Sequence, residues 1–167
     1  TPSYALLALL DQLGEGTSYD IKQALDKSIE NFGPVPHTTA YEEPARLAEG
    51  IARSMGLDLE TVEQVRLAGL LHDLGKIAIP DRILQKPGKL DPDELRIMRE
   101  HPELGYRLLE GLGVSPVDRW IRHHHEWWDG SGYPLGLAGD EIPLGSRIIL
   151  VADAFDAMTS DRVYRAA

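Results

Sequence analysis

Apolar residues in this chain recur three and four apart in runs that stop at proline or glycine, a pattern that reads as an almost entirely helical protein. Ser3 to Leu13 follows this spacing, and Thr17 with Asp20 resembles a capping box opening a second helix that ends near Phe32. Gly33, Pro34 and Pro36 break the pattern. A third helix is expected to start at Pro44, which suits a first helical position, and to stop at Gly56. Asp58 then caps a fourth helix with Val62, Val65, Leu67, Leu70 and Leu71 on its apolar stripe and His72 and Asp73 at its C-terminal end.

Ile77 to Lys89 reads as a loop with at most one short helix, because it holds two prolines and Gly88. Asp91-Pro92-Asp93-Glu94 opens the next helix, which His101-Pro102 is expected to interrupt near its end. Ser115-Pro116-Val117-Asp118 opens another, leading into His123, His124 and His125 and then a glycine-rich stretch from Trp128 to Gly139. A final helix from Pro143 carries Asp153 and Asp156. There is no convincing internal repeat, and the best boundary lies at Gly33 to His37.

The chain has 167 residues, 43% of them hydrophobic, enough for a buried core of one or two compact units. Its longest N-terminal apolar run, Tyr4 to Leu10, falls short of the roughly 20 residues that cross a bilayer and lacks a cationic start, so no membrane partner and a cytoplasmic address are expected. The formal net charge of −10 argues against broad phosphate-backbone binding and hence against DNA, while leaving room for a small phosphorylated ligand.

With no cysteine, any metal must be held by nitrogen and oxygen, and the chain has six histidines. The strongest local signal is His72-Asp73-Leu74-Gly75-Lys76, where an imidazole and a carboxylate stand side by side with a lysine in reach. His101, His124, His125 and Asp153 lie on other predicted helices, which is how a bundle assembles a metal site from facing side chains. Taken singly, His101 can serve as a helix cap, His123 as an exposed neighbour and Asp153 as a buried hydrogen-bonded carboxylate.

His72 to Lys76, His101-Pro102-Glu103, His124 through Pro134 and Val151 through Arg162 together resemble the HD-GYP family over residues 45 to 167. That resemblance implies an all-α HD-domain bundle, here with an N-terminal helical extension, and a phosphodiesterase hydrolysing cyclic di-GMP or a related nucleotide. It implies two or three divalent ions, iron or manganese, held by His72, Asp73, His101, His124, His125 and Asp153, with Asp73 bridging and, together with Lys76, catalytic. Lys76, Arg162 and Arg165 match positions near the substrate phosphates. Tyr133 is either a ligand contact or a support of its loop.

The family also carries an upstream Glu and His, whose positions fall here on Pro36 and Ala40, neither of which can ligate. An incomplete coordination shell facing residues 36 to 44 is therefore expected, filled by water or His37. Members of the family continue into further helices after the position of Arg165, so a less completely covered core is expected.

Residues 1–43 resemble instead the start of a PadR-type winged-helix regulator, on Tyr4 to Leu10, Ser18 to Lys22 and Phe32 to Tyr41. With Lys22 and Lys27 as its basic residues before Arg46, this segment is expected to pack as a helical extension or join two copies in a homodimer rather than bind DNA. Residues 44–167 then form the phosphohydrolase domain. The alternatives to an enzyme are a non-catalytic module that binds metal and nucleotide, and a PadR-like transcription regulator.

Overall fold

The computed structural model describes residues 39–159. Among them the helices are α1 (Thr39–Ser54), α2 (Leu59–Leu71), α3 (Asp81–Leu84), α4 (Pro92–Met98), α5 (His101–Leu109), α6 (Val117–Arg122) and α7 (Leu144–Thr159). Short 3₁₀ turns occupy Leu74–Ala78 and Gly139–Glu141, and the described residues hold no strand, only an isolated bridge between Asp129 and Ala138. The expected all-α class is what the chain adopts.

Local chemistry sets the helix ends. Gly56, at φ 74°, closes α1 with its N–H on the Arg53 carbonyl and the Leu57 N–H on that of Ala52, the paired bonds of a glycine-terminated helix. Asp58 caps α2 by accepting from the Thr61 N–H at 2.9 Å. Asp91 and Glu94 form a reciprocal capping box at the start of α4.

Two expectations about these helices need correction. Pro44 does not open α1 but lies inside it, where it cannot donate to the Ala40 carbonyl. Buried packing holds the helix across that gap: α1 meets α2 so closely that a Cβ on Gly69 would stand 2.8 Å from the Ala45 Cα. His101 likewise does not sit near the end of a helix. The preceding helix stops at Met98, and His101-Pro102 opens α5, where proline costs no hydrogen bond.

Two apolar clusters flank α2. Val62 and Val65 pack with Ala48 and Ala52 of α1 and with Ile148 and Ala152 of α7. Leu67, Ala68 and Leu71 pack on the other side with Leu109, Val117, Ile121 and Ile149. The adjacent Ile148 and Ile149 thus serve different clusters, and the expected single stripe on α2 becomes two contact faces. Gly145 fixes how α7 crosses α6, since a Cβ there would lie 2.2 Å from the Trp120 ring, and Ser146 Oγ donates to the Trp120 carbonyl at 2.9 Å. Burying each large aliphatic side chain contributes about 1.5–3 kcal/mol, so these clusters hold the C-terminal ends of α2 and α6, the start of α5 and the middle of α7 in register around one point.

Candidate metal centre

Three helix ends deliver three histidines by the same device. The Nδ1 of His72 lies 2.7 Å from the Gly69 carbonyl, that of His101 2.8 Å from Met98, and that of His124 2.6 Å from Ile121. Each acceptor is three residues back, at the C-terminal turn of a helix, where carbonyls lack intrahelical partners. A carbonyl only accepts, so each Nδ1 carries the proton and each Nε2 projects inward.

The inward atoms crowd together. His101 Nε2 and His124 Nε2 are 3.4 Å apart. His101 Nε2 is 3.4 Å from Asp73 Oδ1, and His72 Nε2 is 3.5 Å from Asp73 Oδ2 and 3.9 Å from Asp153 Oδ1. His101, His124 and His125 each offer a nitrogen within 4.8 Å of the others. The six residues singled out as ligands therefore gather at one place, although His124 and His125 stand in the turn after α6 rather than on a helix.

Electrostatics keeps these groups in ligating form. Burial lowers the pKa of His101, lowers that of His124 well below its ordinary value, and with help from His101 lowers that of His125 to about 3. Burial works against the Asp73 carboxylate, yet His72, Lys76 and His101 hold its pKa well below the usual range. The Lys76 ammonium donates to Asp73 Oδ2 at 2.5 Å, whereas Asp73 Oδ1 is buried with no hydrogen-bond donor. An orphaned carboxylate oxygen beside proton-free imidazole nitrogens fits a divalent cation, which would satisfy the lone pairs that the Lys76 ammonium, held on Asp73 Oδ2, leaves unmatched.

The glycine of the His-Asp motif is sterically required. A Cβ on Gly75 would stand 1.9 Å from the His101 carbonyl oxygen and 2.5 Å from the Gly105 nitrogen, so only glycine lets the Leu74–Ala78 turn lie against α5.

On the other rim, Tyr133 stacks on His125 with ring centroids 4.8 Å apart. Burial pushes its hydroxyl up to about 12 against the pull of Arg99, and Asp73 and Asp153 push it the same way. The Tyr133 loop is held by a residue whose role sequence reasoning missed. Glu126, fully buried, accepts from the Leu135 N–H at 2.7 Å and the Leu137 N–H at 3.0 Å. Gly132 permits the fold-back, since a Cβ there would lie 2.3 Å from the Trp127 nitrogen. An acidic residue between the histidine run and Trp127-Trp128, just before the glycine-rich stretch, was the available signal for Glu126. His123, expected as an exposed neighbour, is instead largely buried, because its ring packs towards Glu126 with Nδ1 3.8 Å from Oε1. Arg162, Arg165, Pro36 and His37 lie outside the described residues, and Ala40 is described only as part of α1.

Nitrogen and carboxylate donors gathered at helix ends inside a bundle define a helical metal-site protein. More specifically, a family model described as HD domain matches residues 21–167, and the chain belongs to that family. It is 47% identical over 138 residues to the cyclic di-GMP phosphodiesterase response regulator RpfG of Xanthomonas campestris pv. campestris, covering 78% of this chain and 35% of that protein. It is 48% identical over 123 residues to a cyclic di-GMP phosphodiesterase of Thermotoga maritima, covering 71% and 33%, and 46% identical over 125 residues to the 3'3'-cGAMP-specific phosphodiesterase 1 of Vibrio cholerae, covering 74% and 29%. The chain thus spans about a third of the length of these curated relatives. The fold is similar to that of Bd1817, a HDG"Y"P protein from Bdellovibrio bacteriovorus, with a TM-score of 0.68 at 19% identity over 92% of this chain and 56% of that one. The family match begins at residue 21 and so takes in about half of the segment expected to be PadR-like, an expectation that these similarities do not support. No helix among the described residues is long and apolar enough to cross a membrane.

Proposed function

We propose that this chain is a metal-dependent phosphodiesterase that opens a cyclic dinucleotide, with cyclic di-GMP as the lead substrate. The observation that carries this reading is the orphaned Asp73 Oδ1 facing the proton-free His101 Nε2 at 3.4 Å. The similarity to relatives named for cyclic di-GMP and 3'3'-cGAMP supports the substrate class.

His72, Asp73, His101, His124, His125 and Asp153 are the ligands of this proposal, for two or three ions of iron or manganese. When bound, such ions would supply a water of lowered pKa and offset the charge that develops on a phosphoryl group. The residues themselves do the positioning. The Gly69, Met98 and Ile121 carbonyls fix the tautomer and aim of their histidines. Asp73, with Oδ1 towards His101 and Oδ2 towards His72, would offer a carboxylate oxygen on each side of a metal pair. Lys76, anchored on Asp73 yet partly exposed, directs an ammonium at a phosphate oxygen. Hydrolysis consumes one water, breaks one phosphoester bond and leaves a free hydroxyl. Tyr133, neutral at every physiological pH, lines the pocket as a hydrogen-bonding wall. Arg162 and Arg165 belong to the same proposal as phosphate contacts, as does an open ligand position facing Pro36 and Ala40.

The division at residues 43 and 44, a cytoplasmic location and pairing of two copies through the N-terminal segment are further parts of this reading. Light scattering on the full chain and on residues 44–167 tests the pairing.

The activity itself is tested with protein purified anaerobically, loaded with manganese or iron and incubated with cyclic di-GMP. A linear dinucleotide should form, cease with chelator and return on metal addition. Intact substrate in the presence of bound metal would overturn the reading in favour of a non-catalytic binding module.

A further inference from the structure

Arg99 follows the last turn of α4, two residues before His101, and is exposed. Its guanidinium lies over the Tyr133 ring, 5.3 Å from the centroid. Tyr133 in turn stacks on His125, which belongs to the histidine cluster. His125, Tyr133 and Arg99 therefore form a run of contacts that leads from the cluster to an exposed cation.

Other arginines of the described residues are committed to carboxylates, Arg122 to Glu103 and Arg147 to Asp140. Arg99 makes no ion pair with a carboxylate among the described residues, its recorded partner being the Tyr133 ring. In a chain of net charge −10, a guanidinium beside the histidine cluster with no carboxylate partner among the described residues is suited to an anionic ligand. Among the described residues no carboxylate takes up the guanidinium's N–H donors, whose planar fork matches two phosphate oxygens.

We propose that Arg99 binds the second, uncleaved phosphate of the dinucleotide, on the strength of its place at the exposed end of the run of contacts from His125 through Tyr133; the proposal rests on the phosphodiesterase reading above. A cyclic dinucleotide carries two phosphodiesters. With one at the histidine cluster, the ring extends outward past Tyr133 and brings the other towards Arg99. Contact with a non-reacting phosphate contributes binding energy to ground and transition states alike, so it acts on KM rather than kcat.

The experiment compares Arg99→Met and Arg99→Lys with wild type on two substrates, cyclic di-GMP and bis(p-nitrophenyl) phosphate, a diester with a single phosphate. Arg99→Met should raise KM for cyclic di-GMP about tenfold with kcat within about twofold, the loss expected for one charge-assisted contact. It should leave kcat/KM for the single-phosphate diester unchanged and flatten the rise of KM with ionic strength. Arg99→Lys, which keeps the charge without the fork, should fall between the two, and it carries the test should Arg99→Met fail to fold. Equal loss on both substrates would show Arg99 merely supporting Tyr133 and overturn the inference, as would an unchanged KM. Wild-type protein that cleaves the single-phosphate diester but neither binds nor cleaves cyclic di-GMP would overturn the substrate reading and this inference together.

Discussion

His101 Nε2 and His124 Nε2 face each other at 3.4 Å, and each ring keeps its proton on Nδ1, where it donates to a backbone carbonyl. Two lone pairs so placed repel in a neutral protein. Burial resists relieving that repulsion by protonation, since it lowers the pKa of both rings. A shared cation is the remaining relief, and it accounts for the neighbouring Asp73 oxygen without a donor.

Asp73→Ala should abolish metal binding and hydrolysis while leaving helical content intact. Asp73 lies outside both apolar clusters, and its contacts are to His72, His101 and Lys76. Metal analysis alongside far-ultraviolet circular dichroism checks this; unchanged metal stoichiometry would remove Asp73 from the ligand set.

Glu126→Ala should destabilise the protein by about 2–4 kcal/mol, because it strands two amide donors and opens a void. Hydrolysis should fall as well, since the loop it holds carries Tyr133. Urea denaturation measures the first effect, and restored activity in Glu126→Gln, which keeps one acceptor, would assign the second to the loop.

Gly75→Ala introduces a Cβ 1.9 Å from a backbone oxygen that has no freedom to withdraw. The expected cost exceeds about 3 kcal/mol, with loss of the metal site as α5 is pushed from the turn. A variant with wild-type melting temperature and metal content would contradict the close approach.

The metal-free protein should lose stability as pH falls below about 6.5, the ordinary histidine value. His101, His124 and His125 have lowered pKa values when folded, so below that pH the unfolded chain binds more protons. With His125 at about 3, its share reaches about 2 kcal/mol by pH 5 and the loss continues towards pH 3. Asp73 is shifted downward too, so its share is lost only below the ordinary carboxylate range. Denaturation of chelated protein at pH 7 and 5 reads the difference; equal stability at both would mean the rings are not buried neutral.

Much of this was readable from the residues because the signals are local. Asp58, Asp91 and Gly56 end or begin helices through bonds within their own turn, and His72, His101 and His124 stand at helix ends that the same signals mark. What escaped depends on distance in sequence. Pro44 is tolerated inside α1 because α2 packs on that helix, and α2 needs two apolar faces because α1 packs on one and α6 on the other, with α7 touching both. Glu126 clamps amides 9 and 11 residues ahead, and Arg99 meets Tyr133 across the site, relationships that no periodicity encodes.

The central claim is that the gathered histidines and carboxylates hold metal, and metal content of anaerobically purified protein tests it most directly. Wild type should carry about two equivalents of iron or manganese per chain, the lower of the two occupancies proposed because Pro36 and Ala40 offer no donor side chain, and His124→Ala should carry almost none. Wild-type protein that retains no divalent ion after anaerobic purification and reconstitution would contradict the account.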